Sequence, residues 1–187
     1  DLDTNRLRSF QGLSYAQIAM QVIKPFVNND IDDDVLAALI ADTYSADNFD
    51  HDAIAPLVQI GPNAWILELF HGPTFSFKDY AMQLLGKLFD HVLEQRGQRI
   101  TIVGATSGDT GSAAIEACKN CKNIDIFILH PEGRTSDVQR KQMTSVDSPN
   151  VHNIALKGTF DDCQAFVKDL FADTKTAEKI GLSAVNS

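Results

Sequence analysis

The sequence predicts an α/β fold: a parallel sheet with flanking helices, preceded by a small helical sub-domain. Three observations lead there. From Leu57 onward, short apolar runs alternate with segments of helical periodicity. Before that point there are two helical stripes and no strand pattern. Between one buried apolar run and the helix after it lies a turn rich in glycine and hydroxyl residues, as expected where a parallel strand hands over to a helix.

The elements follow in order. Residues 12–28 carry Ile18, Val22 and Phe26 with Ala19 and Ile23 on one stripe, behind Ser14 as N-cap; Pro25 is expected to end or kink this helix. Residues 32–46 read as a second helix. Its opening Asp32-Asp33-Asp34 suits the positive end of the helix dipole, and Val35, Leu36, Leu39, Ile40 and Tyr44 face inward. Residues 47–56 read as a linker, so the helical sub-domain is placed at 1–56 and the α/β region at 57–187. There, strands are expected at 57–60, 65–70, 99–104, 124–129 and 151–156, and helices at 77–96, 109–120, 135–145 and 160–171. The strands from 99 onward alternate with helices, which implies right-handed crossovers and a site beyond the strands' carboxyl ends.

Composition narrows the function. Of 187 residues, 44% are apolar and 22% charged, as in a water-soluble globular protein, and the net charge is −9. No basic block or basic helical face is present, which argues against nucleic acid or an anionic membrane as partner. No apolar run approaches the length of a membrane span, and the first residues do not resemble a signal peptide, so a cytoplasmic location is expected. Three cysteines, Cys118, Cys121 and Cys163, fit a reducing compartment. Cys118 and Cys121 have metal-like spacing, but no second pair follows, and no metal is expected.

Two stretches carry chemistry. The first is Phe70-His71-Gly72-Pro73-Thr74-Phe75-Ser76-Phe77-Lys78-Asp79, which turns through Gly-Pro and opens a helix with apolar residues at 77, 80, 81, 84, 85, 88, 89, 92 and 93. Ser76 and Asp79 have the spacing of a capping box, which would put Lys78 at the second helical position, beside the apolar stripe. The helix dipole and partial burial both disfavour an ammonium there, and a free amine is what a lysine nucleophile needs. The second stretch is Gly104-Ala105-Thr106-Ser107-Gly108-Asp109-Thr110-Gly111-Ser112-Ala113-Ala114. Free N–H groups at a helix start bind anions. The stretch is neither a P-loop nor G-x-G-x-x-G, so the anion is a carboxylate or a phosphate other than that of a Walker-type nucleotide. Asp109 is out of character in an anion pocket unless it caps the helix or bonds a hydroxyl.

Together these stretches resemble the threonine synthases, a branch of the fold-type-II pyridoxal-phosphate enzymes with a tryptophan-synthase-β-like fold. The resemblance extends over Leu67–Thr74, Ile126–Pro131, Val138–Met143, Gly158–Ala165 and Ala184–Ser187, and over Leu13–Ala16 near the start. It implies a PLP-dependent carbon–oxygen lyase that converts O-phospho-L-homoserine and water to L-threonine and phosphate. Lys78 would hold pyridoxal 5'-phosphate as a Schiff base and shuttle protons. Thr106, Ser107, Gly108, Asp109 and Thr110 would receive the substrate carboxylate. Asp109 stands where many relatives place an asparagine against the cofactor's phenolic oxygen. Arg134, Asn186 and Ser187 are candidates for the substrate phosphate. The phosphate cup and the partner of the pyridine nitrogen come from later sequence in the family. The chain is therefore expected to be a piece of a longer protein, inactive alone. Another fold-type-II lyase or dehydratase, or a non-catalytic phospho-ligand-binding relative, is the alternative.

Overall fold

Ile102, Ile124 and Ile126 have no exposed surface, and the fold is built outward from the two strands that carry them. The computed structural model describes residues 3–184. It divides into two compact units, residues 1–71 and 72–187.

The second unit holds a four-stranded sheet of β3 (Ile100–Ala105), β4 (Ile124–Pro131), β5 (Val151–Leu156) and β6 (Leu182–Ser183), in the order β5-β4-β3-β6. Every pairing is parallel. β3 and β4 pair over their whole overlap, from Ile100 opposite Ile124 to Ala105 opposite Leu129. Alternation along these strands gives the sheet two apolar faces. On one, Ile102, Ile124, Ile126 and Ile128 pack with Leu93 of α4 (Asp79–Arg96), Ala114, Ile115 and Cys118 of α5 (Asp109–Cys118), and Met143 of α6 (Asp137–Thr144). On the other, Val103 and Leu129 pack with Cys163, Val167 and Leu170 of α7 (Phe160–Ala172). The expected strands and helices from 99 onward are all present, with ends within a few residues. A short helix α8 (Thr174–Ile180) and the two-residue β6 follow them.

Asn150 anchors the turn before β5. It is buried, and its amide donates to the carbonyls of Cys118 (2.8 Å), Ile124 (2.8 Å) and Cys121 (3.3 Å). The Cys121 thiol faces the carbonyls of Gly86 and Ala117, each at 3.6 Å, so the two neighbouring cysteines are spent in helix packing.

The first unit contains α1 (Thr4–Ser9), α2 (Tyr15–Val27), α3 (Asp33–Thr43) and an antiparallel hairpin of β1 (Leu57–Gly61) and β2 (Ala64–Leu67). Ser14 forms a capping box with Gln17 at the start of α2, and Asp3 caps α1. Its core is Ile31, Leu36, Ile40, Phe49 and Ile54. Two of these lie in the stretch read from sequence as a linker: Phe49 and Ile54 are plugs rather than tether, and Tyr44 stacks between Tyr15 and Phe49. The apolar stripe of α2 stays partly exposed, with Phe26 at 85%. Pro25 sits in the last turn, where the helix ends two residues later.

His71 closes this unit. Its Nδ1 lies 2.6 Å from Asp50 and its Nε2 2.8 Å from Glu68, while its backbone carbonyl accepts from the Asp50 N–H at 3.0 Å. The two carboxylates, Glu68 foremost, raise the imidazole above its ordinary value. The protonated ring is the form that bonds both, so its contribution is complete below the unfolded value of about 6.5 and is lost as pH rises through the higher folded value.

Two predictions follow from these anchors. Thermal unfolding against pH should show wild type losing stability relative to His71→Gln as pH climbs from about 6.5; parallel curves would refute it. Asn150→Ala should destabilise the chain by about 2–3 kcal/mol in urea unfolding, because carbonyls are left without donors.

Candidate active site

Helix α4 begins at Asp79, and Lys78 is its N-cap residue, already in right-handed helical geometry at φ −65°, ψ −23°. The expected capping box forms only in part. The Ser76 hydroxyl accepts from the N–H of Lys78 at 3.3 Å rather than from that of Asp79. Asp79 is fully buried and turns its carboxylate mainly to Thr74, accepting from that residue's N–H at 2.8 Å and hydroxyl at 2.7 Å. Thr74 wins the carboxylate because it offers two donors on one residue, with the Ser76 N–H contributing a weaker pull. Burial raises the Asp79 carboxyl above its usual range, the Thr74 bonds oppose that, and Glu116 adds to it.

Lys78 is half-buried. Its Nζ lies 4.5 Å from the centroid of the Phe77 ring, a cation–π distance, and among the described residues it makes no ion pair. A primary amine without an acidic partner, at the start of a helix, is available for carbonyl chemistry.

The glycine loop leaves the carboxyl end of β3 and opens α5. Thr106 organises it: the buried hydroxyl accepts from the N–H groups of Gly108 (3.0 Å) and Gly111 (2.9 Å). This satisfies two of the donors at the helix start. Gly108 has φ +155° and backs onto the Gln139 amide, so a side chain at this position would collide with it. The loop thus has the build of an anion receptor.

Gln139 of α6 donates its Nε2–H to the Asp109 carboxylate, while its Oε1 accepts from the Ser136 hydroxyl at 2.9 Å. Gln142, one turn on, donates to the carbonyl of Thr74 at 3.0 Å. One face of α6 therefore holds both the glycine loop and the segment before the lysine. Sequence reasoning did not single out these glutamines, whose partners only the fold reveals.

A cavity of about 600 Å³ opens at the carboxyl end of β3, lined by Ala105, Thr106, Ser107, Thr110 and Gly111 on one side and by α7 on the other. It gathers three of the five loop residues expected to bind substrate. Gly108 and Asp109 turn instead toward Gln139, and Lys78 does not line this cavity. Arg134 is exposed in the loop after β4, near Asp162. Asn186 and Ser187 lie outside the described residues. Among those described, no helix is long and apolar enough to cross a membrane.

The profile of the pyridoxal-phosphate dependent enzymes matches residues 51–181. The chain belongs to that family. The profile of the threonine synthase N terminus matches residues 1–44. A threonine synthase of Pseudomonas aeruginosa is 55% identical over 97% of the chain, which spans 38% of that relative's length. Among solved structures, a PLP-bound threonine synthase from Brucella melitensis superposes with a TM-score of 0.94 at 50% identity, over 99% of this chain and 39% of that one. Threonine synthase from yeast gives 0.91 at 40% identity, over 99% and 38%.

The role of Thr106 is open to measurement. Thr106→Val leaves two buried N–H groups unpaired and should cost about 1–3 kcal/mol of stability, with Thr106→Ser recovering most of it; hydrogen exchange at Gly108 and Gly111 reports whether the loop itself is what loosens.

Proposed function

We propose that this chain is the lysine-bearing part of a threonine synthase, acting on O-phospho-L-homoserine and water to give L-threonine and phosphate. Lys78 carries pyridoxal 5'-phosphate in this reading. The observation that carries it is the Lys78 amine, held at the N-cap of α4 with no acidic partner among the described residues. The family membership and the identities given above support the same reading.

The donor set fits the cofactor. An aldehyde needs one accessible amine, and Lys78 supplies it; the substrate is an anion, and the start of α5 is a helix N-terminus of the kind that binds anions. Bound to the lysine, pyridoxal phosphate supplies an electron sink for charge developing on the substrate's carbon chain.

The chain's own residues do the rest. When not bonded to the cofactor, the Lys78 Nζ would take a proton from one substrate carbon and return it to another. The N–H groups of Ser107, Asp109 and Thr110 receive the substrate carboxylate, and their preset geometry fixes which carbon faces the amine. Thr106 keeps that receptor open by holding its hydroxyl inward on Gly108 and Gly111. Gln139, by bonding the Asp109 carboxylate, diverts a negative charge from the anion's place.

The test uses the full-length protein that contains this chain. Borohydride should add the cofactor's mass to the peptide carrying Lys78, and Lys78→Ala should abolish that adduct and lower phosphate release from O-phosphohomoserine by roughly 10²–10⁴-fold. A Lys78→Ala protein that keeps the cofactor's visible band and its activity would overturn the assignment.

A further inference from the structure

Asp79 is a carboxylate with no exposed surface, one residue from Lys78, in the first turn of α4. Its two strongest partners belong to Thr74, five residues back, at 2.8 and 2.7 Å. Thr74 also receives Gln142 of α6 on its carbonyl, so all three of its polar groups are engaged. The backbone between Thr74 and Asp79 is closed into a tight turn.

Two further features show that the turn is held under constraint. Phe75, immediately after Thr74, has φ +61°, a left-handed conformation that a bulky aromatic residue avoids, yet the residue is 66% exposed and gains little burial in return. Its N–H bonds the carbonyl of Gly72 at 3.1 Å. Gly72 backs onto Asp79 so closely that an added Cβ would sit 2.5 Å from the Asp79 Cβ and 2.6 Å from its Oδ2. The strained turn, the close glycine and the buried acid all serve one arrangement, and the residue that arrangement presents is Lys78.

The geometry points to Asp79 and Thr74 as positioning residues for Lys78: their paired hydrogen bonds clasp the 72–79 turn and fix the backbone from which the amine projects. The inference rests on Lys78 being the cofactor lysine. Gln142 extends the clasp to α6, which through Gln139 also holds Asp109, so the turn is referenced to the glycine loop and not only to its own helix.

The experiment compares full-length wild type with Thr74→Val, Thr74→Ser and Gln142→Leu, each loaded with pyridoxal phosphate. The readouts are the rate of borohydride trapping on Lys78 per bound cofactor, by peptide mass, and the rate of reductive methylation of Lys78 in cofactor-free protein. Thr74→Val keeps the shape of the side chain and loses its hydroxyl. It should slow trapping by about tenfold or more and speed methylation severalfold as the amine loses its fixed place, while Thr74→Ser returns both to within about twofold of wild type. A general loss of stability would move the unfolding midpoint but not the trapping rate per bound cofactor or the serine rescue. A folded Thr74→Val protein with both rates unchanged would overturn the clasp. Should Thr74→Val fail to fold, Gln142→Leu decides, with slower trapping expected and an unchanged rate overturning it. Wild type carrying no adduct on Lys78 would instead refute the lysine's role, and the methylation arm would still judge the clasp.

Discussion

The parallel pairing of β3 with β4 is the constraint from which the site follows. Both strands are buried on two faces, and their register is unbroken from Ile100 to Ala105. Slipping the pair by one residue would exchange the isoleucines under α5 for side chains that belong under α7, so the register is strongly held. Because it is held, the two strands end at the same side of the sheet, β4 running two residues past β3, and the loops that leave them start beside each other. That is why Asp109, at the start of the helix after β3, meets Gln139, in the first turns of the helix after β4.

The site is then a matter of hydrogen-bond supply. A helix start carries four donors without intrahelical partners. At α5, Thr106 takes two of them, from Gly108 and Gly111, inside the loop. At α4 the allocation differs. Ser76 accepts from Lys78, and Asp79 faces backward to Thr74, so the acid adjacent to the lysine is spent on the backbone and not on the amine. Assigning the carboxylate to Thr74 leaves the amine without an ion-pair partner among the described residues, beside a buried acid and a left-handed Phe75.

These allocations mark the limit of what the sequence discloses. The alternation of apolar runs and helical stripes gives the sheet and its helices from residue 99 onward, because deep burial imposes a strong pattern. It does not give β6, whose two residues become a strand only because the edge of β3 is beside them, nor the core roles of Phe49 and Ile54, isolated apolar residues in a polar stretch. The lysine and the glycine loop are legible as motifs, since their chemistry needs particular residue types at particular spacing. The partner of Asp79 is not: Ser76 is correctly spaced for a capping box, and only the fold shows that Thr74, with two donors, competes for the same carboxylate. Gln139 and Gln142 are invisible for a related reason. On a polar helix two glutamines are unremarkable until the neighbours they reach are known.

The position of Gly72 at the junction of the two units gives the clasp a further consequence. His71, the last residue of the first unit, is fixed by Asp50 and Glu68 on its ring and by the Asp50 N–H on its carbonyl. Gly72, the first of the second, is fixed by the carboxylate it backs onto. Strain in a turn persists only where its surroundings over-determine it. Within the second unit Phe75 lies between Gly72, which backs onto Asp79, and Asp79 itself, and the lysine three residues further on inherits a fixed starting point.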